Sequence, residues 1–206
     1  MPINVNDLNI DLLSLSGHKF YAPMGIGVLY VRRRPRVKLL NQMDGGGQER
    51  GLRSGTLPLP LCVGLGKAAE LAGAEMMEEI TRIRGLRDQF LATIRGKFPS
   101  VSVNGSLENR IPGNLNLQFD GVNTELLLSL LKGVAISSGA ACESASKELS
   151  HVLVAMGLTE NQIRSSLRIG FGRFTTQEDA DQAAKIISMS IQNQQSSVFN
   201  LRKNYG

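Results

Sequence analysis

One apolar stripe constrains this chain more than any other feature. Leu65, Ala68, Ala69, Ala72, Met76, Ile80, Ile83, Leu86, Phe90 and Ile94 recur at steps of three and four residues. Steps of that size place side chains on one face of an α-helix. The spacing predicts a helix over 61–98, entered through Pro58 and Pro60, with charges such as Glu78, Glu79, Arg82 and Arg84 between the apolar positions. Gly73 and Gly85 are points where it is expected to bend or break. Cys62, among Leu61, Val63 and Leu65, reads as core. Such a helix connects two units, and the sequence on its two sides differs in character.

On the N-terminal side, an apolar run over 8–13 climbs into Ser14-Leu15-Ser16-Gly17-His18-Lys19, and a β-rich run over 28–31 leads away after Gly25 and Gly27. That pattern is a strand, a tight turn carrying a lysine, and a second strand. A lysine at a strand edge is partly desolvated, and its pKa can fall far enough for it to act as an amine nucleophile. A solvated lysine on an exposed turn is the other reading of the same residues. A glycine-rich loop follows, Gly45-Gly46-Gly47-Gln48-Glu49-Arg50-Gly51-Leu52-Arg53-Ser54-Gly55-Thr56. Backbone N–H groups in such a loop can turn toward one anion, and a hydroxyl beside them suits phosphate. Residues 1–57 hold no complete core and read as the end of a domain.

Beyond the helix the pattern becomes a small α/β unit. Residues 115–119 alternate like a half-buried strand. Asp120-Gly121 turns, and a helix over 124–131 is capped by Asn123. A short strand is expected over 134–137. Cys142 follows in a loop of small residues, 137–146, that leaves its thiol reachable. A helix over 150–156 stops at Gly157, residues 166–169 form a further strand, and Thr175 caps the last helix with Glu178 three residues on. Arg168 lies in that strand, and its planar guanidinium matches a carboxylate in bidentate fashion. Arg173, five residues on, reads as structural.

Composition removes several function classes. The net charge of +5 gathers most densely in Arg32-Arg33-Arg34-Pro35-Arg36, but no aromatic residues interleave with it. Without a stacking platform it reads as a solvated strand exit or a subunit contact, not a nucleic-acid surface. The chain is 42% hydrophobic, with no apolar run near the ~20 residues a membrane span needs. That fits a soluble globular protein. Two cysteines and two histidines without a Cys-x-x-Cys pair argue against a dedicated zinc site. Met1-Pro2-Ile3-Asn4 does not open like a signal peptide, so a reducing compartment, the cytoplasm, is expected.

Three motifs in order, Ser16-Gly17-His18-Lys19, Arg53-Ser54-Gly55-Thr56 and Ser137-Ser138-Gly139-Ala140-Ala141-Cys142, resemble the cysteine desulfurases of the class V aminotransferase group. These are fold type I pyridoxal 5'-phosphate (PLP) enzymes. The resemblance covers nearly the whole chain and is to the C-terminal half of such an enzyme. It implies an α/β fold in three parts: the tail end of the large PLP-binding domain in 1–60, a connecting helix in 61–98, and a small α/β domain in 99–206 with a mostly antiparallel sheet and the cysteine loop. By resemblance Lys19 carries PLP, Ser16, Gly17 and His18 surround it with Ser16 and His18 at its phosphate, and Thr56 reaches the phosphate of a homodimer partner. Arg168 holds the α-carboxylate of L-cysteine, and Cys142 takes the sulfur as a persulfide, leaving L-alanine. No resident metal is implied, although Cys142 is a candidate transient iron–sulfur ligand. The sulfur would pass to an acceptor or iron–sulfur scaffold protein, for cluster or thio-cofactor assembly.

Departures from the family qualify this. Gly170 stands where relatives commonly carry serine. In the desulfurases the carboxylate on the pyridine nitrogen and the histidine stacked on the ring come before the lysine, and here 18 residues precede Lys19. The expectation is a truncated or split desulfurase, inactive alone. A non-catalytic sulfur relay or interaction module, or another class V PLP enzyme, is the alternative.

Overall fold

The computed structural model describes residues 2–137 and 149–205. The chain divides into two compact units, Met1–Glu78 and Glu79–Gly206. Each is mixed helix and antiparallel sheet; among the described residues the two together hold five strands and five α-helices.

The N-terminal unit is built on a hairpin. Strand β1 (Leu12–Ser16) pairs antiparallel with β2 (Gly27–Val31), in a register running from Leu12 opposite Val31 to Ser16 opposite Gly27. β1 therefore starts later than the apolar run suggested. Asn4 accepts from the Asn6 N–H, and Asn9 takes a left-handed φ of 51°, so the residues before Ile10 coil into a turn. Arg32 ties that turn to the hairpin, donating to the carbonyls of Ile10 (3.0 Å) and Val5 (2.6 Å) and to Asn6 Oδ1 (3.0 Å), and pairing with Asp11. The first arginine of the basic run is thus a structural clasp. A short 3-10 turn, Gln48–Gly51, lies in the glycine-rich loop.

Helix α1 (Leu59–Lys97) is a single helix of 39 residues. It does not break into separate elements at Gly73 or Gly85, because Ala, Leu, Met, Glu and Arg around them favour the helix by more than two glycines cost, about 1 kcal/mol each. Pro60 sits in the first turn, where its missing N–H has no partner to lose.

In the C-terminal unit, β3 (Ser102–Val103), β4 (Asn114–Gln118) and β5 (Ser166–Gly170) form an antiparallel sheet in the order β3-β4-β5. Period-two alternation sends Leu115, Leu117, Leu167 and Ile169 to one face. There they pack with Phe90, Leu91 and Ile94 of α1, Leu127 of α2 (Thr124–Leu130), and Ala184, Ile187 and Ile191 of α5 (Gln177–Tyr205). Each fully buried Leu or Ile contributes about 1.5–3 kcal/mol. The other face is polar: Asn104 Nδ2 donates to Asn116 Oδ1 (2.7 Å) and Ser166 Oγ (2.9 Å).

Asn123 caps α2 as expected, accepting from the Leu126 N–H at 3.0 Å. Helix α3 (His151–Ala155) and the unforeseen α4 (Glu160–Arg164), closed by a capping box between Thr159 and Gln162, lead into β5. Two expectations are corrected. Residues 134–137 form no strand; Ser137 makes one isolated bridge with Arg168, after Gly133 turns the chain at φ 83°. The cap of α5 is Thr176, not Thr175: the Thr176 N–H donates to Asp179 Oδ2 and the Asp179 N–H to Thr176 Oγ1, while Thr175 Oγ1 accepts from the Gly172 N–H.

Candidate functional site

Immediately after β1 the chain enters a 3-10 turn, Gly17–Phe20, ended by Tyr21 at φ 70°. The Gly17 N–H donates to the Ile26 carbonyl (2.9 Å), and the Ala22 N–H returns to the Gly17 carbonyl (3.1 Å). This pins the turn at both ends. Gly17 is buried while Ser16, His18 and Lys19 are exposed. Ser16 Oγ and His18 Nδ1 stand 3.2 Å apart. A hydroxyl, an imidazole and an amine are therefore presented from four consecutive residues. Lys19 is exposed on the turn, as its place between the two strands led us to expect.

Thr56 belongs to the same unit. The loop before it is tied within itself: Ser54 Oγ donates to the Asp44 carbonyl (2.9 Å), the Gly55 N–H to Gln48 Oε1 (3.1 Å), and Arg53 Nη1 to the Ser54 carbonyl (3.0 Å). Thr56 is exposed, and among the described residues its hydroxyl has no hydrogen-bond partner.

Arg168 lies in the C-terminal unit, half-buried on the polar face of the sheet and paired across β4 with Asn116. Its backbone exchanges hydrogen bonds with Ser137, N–H to Ser137 O at 2.7 Å and O from Ser137 N–H at 3.3 Å. The start of the cysteine segment is thereby fixed beside Arg168. Cys142 itself lies outside the described residues. Among the described residues Arg168's guanidinium makes no hydrogen bond or ion pair. Arg173 is different: its Nε and Nη2 donate to Glu79 Oε1 (2.6 Å) and Oε2 (2.8 Å), a structural fork as expected. Cys62 is half-buried rather than core.

Arg82 was missed as anything but a surface charge. It donates to the carbonyls of Thr175 (2.8 Å), Gly172 (3.3 Å) and Arg173 (2.7 Å), holding the loop after β5 to α1. Its only sequence signal is an arginine beside the apolar stripe.

Residues 1–183 match the family described as aminotransferase class-V. The chain belongs to that family. Similarity within it is to cysteine desulfurases. The chain is 52% identical over 187 residues to cysteine desulfurase IscS of Anaeromyxobacter sp. (strain Fw109-5), covering 91% of this chain and 46% of the relative. It is 51% identical over 191 residues to IscS of Rickettsia bellii (strain OSU 85-389), covering 93% and 47%. Among solved structures, a NifS-like protein superposes with a TM-score of 0.80 at 31% identity, over 92% of this chain and 48% of that one. SspA in complex with cysteine gives 0.62 at 39%, over 84% and 47%. The chain spans about half the length of the relatives it matches.

Class V aminotransferases imply PLP, and this donor set fits two ends of it. An accessible amine at Lys19 suits the aldehyde, and the Ser16 hydroxyl with the His18 imidazole suits the phosphate. The pyridine nitrogen asks for a carboxylate, and Asp11, the acid nearest before the turn, is held by Arg32 at 3.1 Å. Among the described residues no group of His, Cys, Asp and Glu could hold a metal ion, and no helix is long and apolar enough to cross a membrane.

Proposed function

We propose that this chain supplies the lysine, phosphate, carboxylate and sulfur-accepting elements of a PLP-dependent cysteine desulfurase. The reading is carried by the pinned turn that presents Ser16, His18 and Lys19 together, within a stretch similar to IscS. Ser16 and His18 hold the cofactor phosphate, Gly17 gives the turn its room, and Lys19 bonds to the cofactor. Thr56 donates its hydroxyl to the phosphate in the second subunit of a homodimer.

PLP, when bound, supplies an electron sink for negative charge at the substrate α-carbon. The chain's own residues do the rest. Arg168 grips the α-carboxylate of L-cysteine through two parallel N–H donors. The Lys19 amine, once free, takes the proton from the α-carbon and later returns one. The Cys142 thiolate attacks the substrate sulfur; an S–S bond forms and the substrate C–S bond breaks. That electron pair passes to the substrate carbon, which is protonated to give alanine, and a persulfide remains on Cys142. A protein thiol or an iron–sulfur scaffold in the cytoplasm then collects the sulfur.

The test supplies the N-terminal half of the Rickettsia bellii relative in trans, with PLP and L-cysteine. Alanine release and a persulfide mapped to Cys142 by mass spectrometry are the expected outcome. Lys19→Ala should abolish both and the visible absorbance of bound PLP; Cys142→Ser should keep the absorbance and lose the persulfide. A persulfide on Cys142 that forms equally well in Lys19→Ala would replace this reading with a sulfur relay that makes no alanine.

A further inference from the structure

The C-terminal unit carries an open groove of about 520 Å³ that the reaction does not use, between the last turns of α1 and the loop following β3. On α1, Arg84, Arg87, Leu91 and Arg95 recur at helical spacing and so share one face. Leu91, 4% exposed, lines the groove together with Ala92 and Leu107 and gives it an apolar part. Around it the rim is basic. Arg84 and Arg95 are exposed, and among the described residues their guanidiniums have no hydrogen bond or ion pair.

Charge in the groove is unbalanced. Arg87 is 3% exposed, donating to Asp88 Oδ1 (2.8 Å) and the Leu107 carbonyl (3.3 Å), so Asp88 is already committed. Glu108 is the one other carboxylate of the lining. On the same loop Arg110 donates to the Asn104 carbonyl, and its Nη1 is buried without a partner among the described residues. Burial, and then the charge of Arg87, holds its guanidinium below its ordinary pKa. Within the lining itself, the positive charges of Arg84 and Arg95 pair with no carboxylate of the described residues, and an incoming carboxylate would complement them.

We propose that this groove docks an acidic, partly apolar segment of a partner protein, its carboxylates on Arg84 and Arg95 and an apolar side chain on Leu91 and Leu107. The apolar part asks for more than a free inorganic anion. No aromatic residue lines the groove to stack a base, and Asp88 and Glu108 would oppose a run of phosphates, which disfavours nucleic acid. Free rim arginines over a buried apolar centre are the arrangement of a peptide interface.

Fluorescence anisotropy of a short fluorescein-labelled peptide alternating glutamate and leucine tests this on the full chain. Saturable binding is expected, weakened about tenfold or more by Arg84→Glu with Arg95→Glu, and also by Leu107→Ser. Arg33→Glu with Arg36→Glu, exposed on the other unit, should leave it unchanged. Equal loss in both arginine pairs would reduce the effect to general charge attraction and overturn the proposal. So would equal binding of a lysine-for-glutamate peptide, or tighter binding of oligothymidylate that the Arg84 and Arg95 changes abolish.

Discussion

A methyl group added at Gly17 would stand 2.9 Å from the Ile26 carbonyl oxygen and 3.1 Å from both Ala22 Cβ and Leu65 Cδ1. The first neighbour is backbone and cannot swing aside, so the turn must shift. Gly17→Ala should destabilise the N-terminal unit by roughly 1–3 kcal/mol. Lys19→Ala, two residues away and exposed, should stay within about 0.5 kcal/mol. Hydrogen exchange of the hairpin amides reads both, and equal protection in the two variants would show that Gly17 does not hold the turn. The small-residue step before Lys19 was legible in the sequence; the close carbonyl was not, because it comes from the far side of the hairpin. The cap of α5 shows another limit. Thr175 with Glu178 and Thr176 with Asp179 both satisfy the capping spacing, and Thr176 is free for the cap because Thr175 is engaged by the Gly172 N–H.

Elements in the C-terminal unit are joined by ties that no local pattern reveals. Glu79 and Arg173 lie 94 residues apart in sequence and meet in a bidentate pair, with side chains 22% and 16% exposed. The hydrogen bond from Arg173, reinforced by the charges of Arg173 and Arg82, holds the Glu79 carboxyl below its ordinary pKa despite some desolvation. A carboxylate whose folded pKa is depressed stabilises the fold fully above its unfolded value. That contribution is lost as pH falls through the depressed one. Glu79→Gln should therefore cost about 1–2 kcal/mol at neutral pH. It should cost little once wild-type Glu79 is protonated. Denaturant titrations from pH 7 down through the carboxylate range check this; a difference between the proteins that does not shrink on acidification would mean packing, not charge, is responsible. Helices and strands with their own periodicity, such as α1 and β4, were legible from the sequence. Residues 134–137, apolar and β-prone, were misread because one bridge to Arg168 is all the pairing they make among the described residues.

At the scale of the whole chain, burial is uneven. Among the described residues the buried hydrophobics of the N-terminal unit are Ala22 and Ala68, whereas the C-terminal unit buries Phe90, Ile94, Leu115, Leu117, Leu127, Leu167, Ile187 and Ile191 almost completely. A two-stranded hairpin without a third strand is marginal in water. This one exposes Leu12, Leu15, Val28 and Leu29, and both its edges carry unpaired backbone groups. Local opening should therefore cost far less there than around the sheet β3-β4-β5. Amides of Leu13, Leu15 and Leu29 are expected to exchange orders of magnitude faster than those of Leu117, Leu167 and Ile187. Denaturant should unfold the hairpin first, with the C-terminal sheet still protected. Exposed apolar strand edges also seek partners, so sedimentation should show association that rises with concentration and weakens when Leu29 is replaced by Lys. Hairpin amides as slow as that of Ile187 in the monomer would refute the argument, since a unit burying two alanines would then be held by something other than its own core.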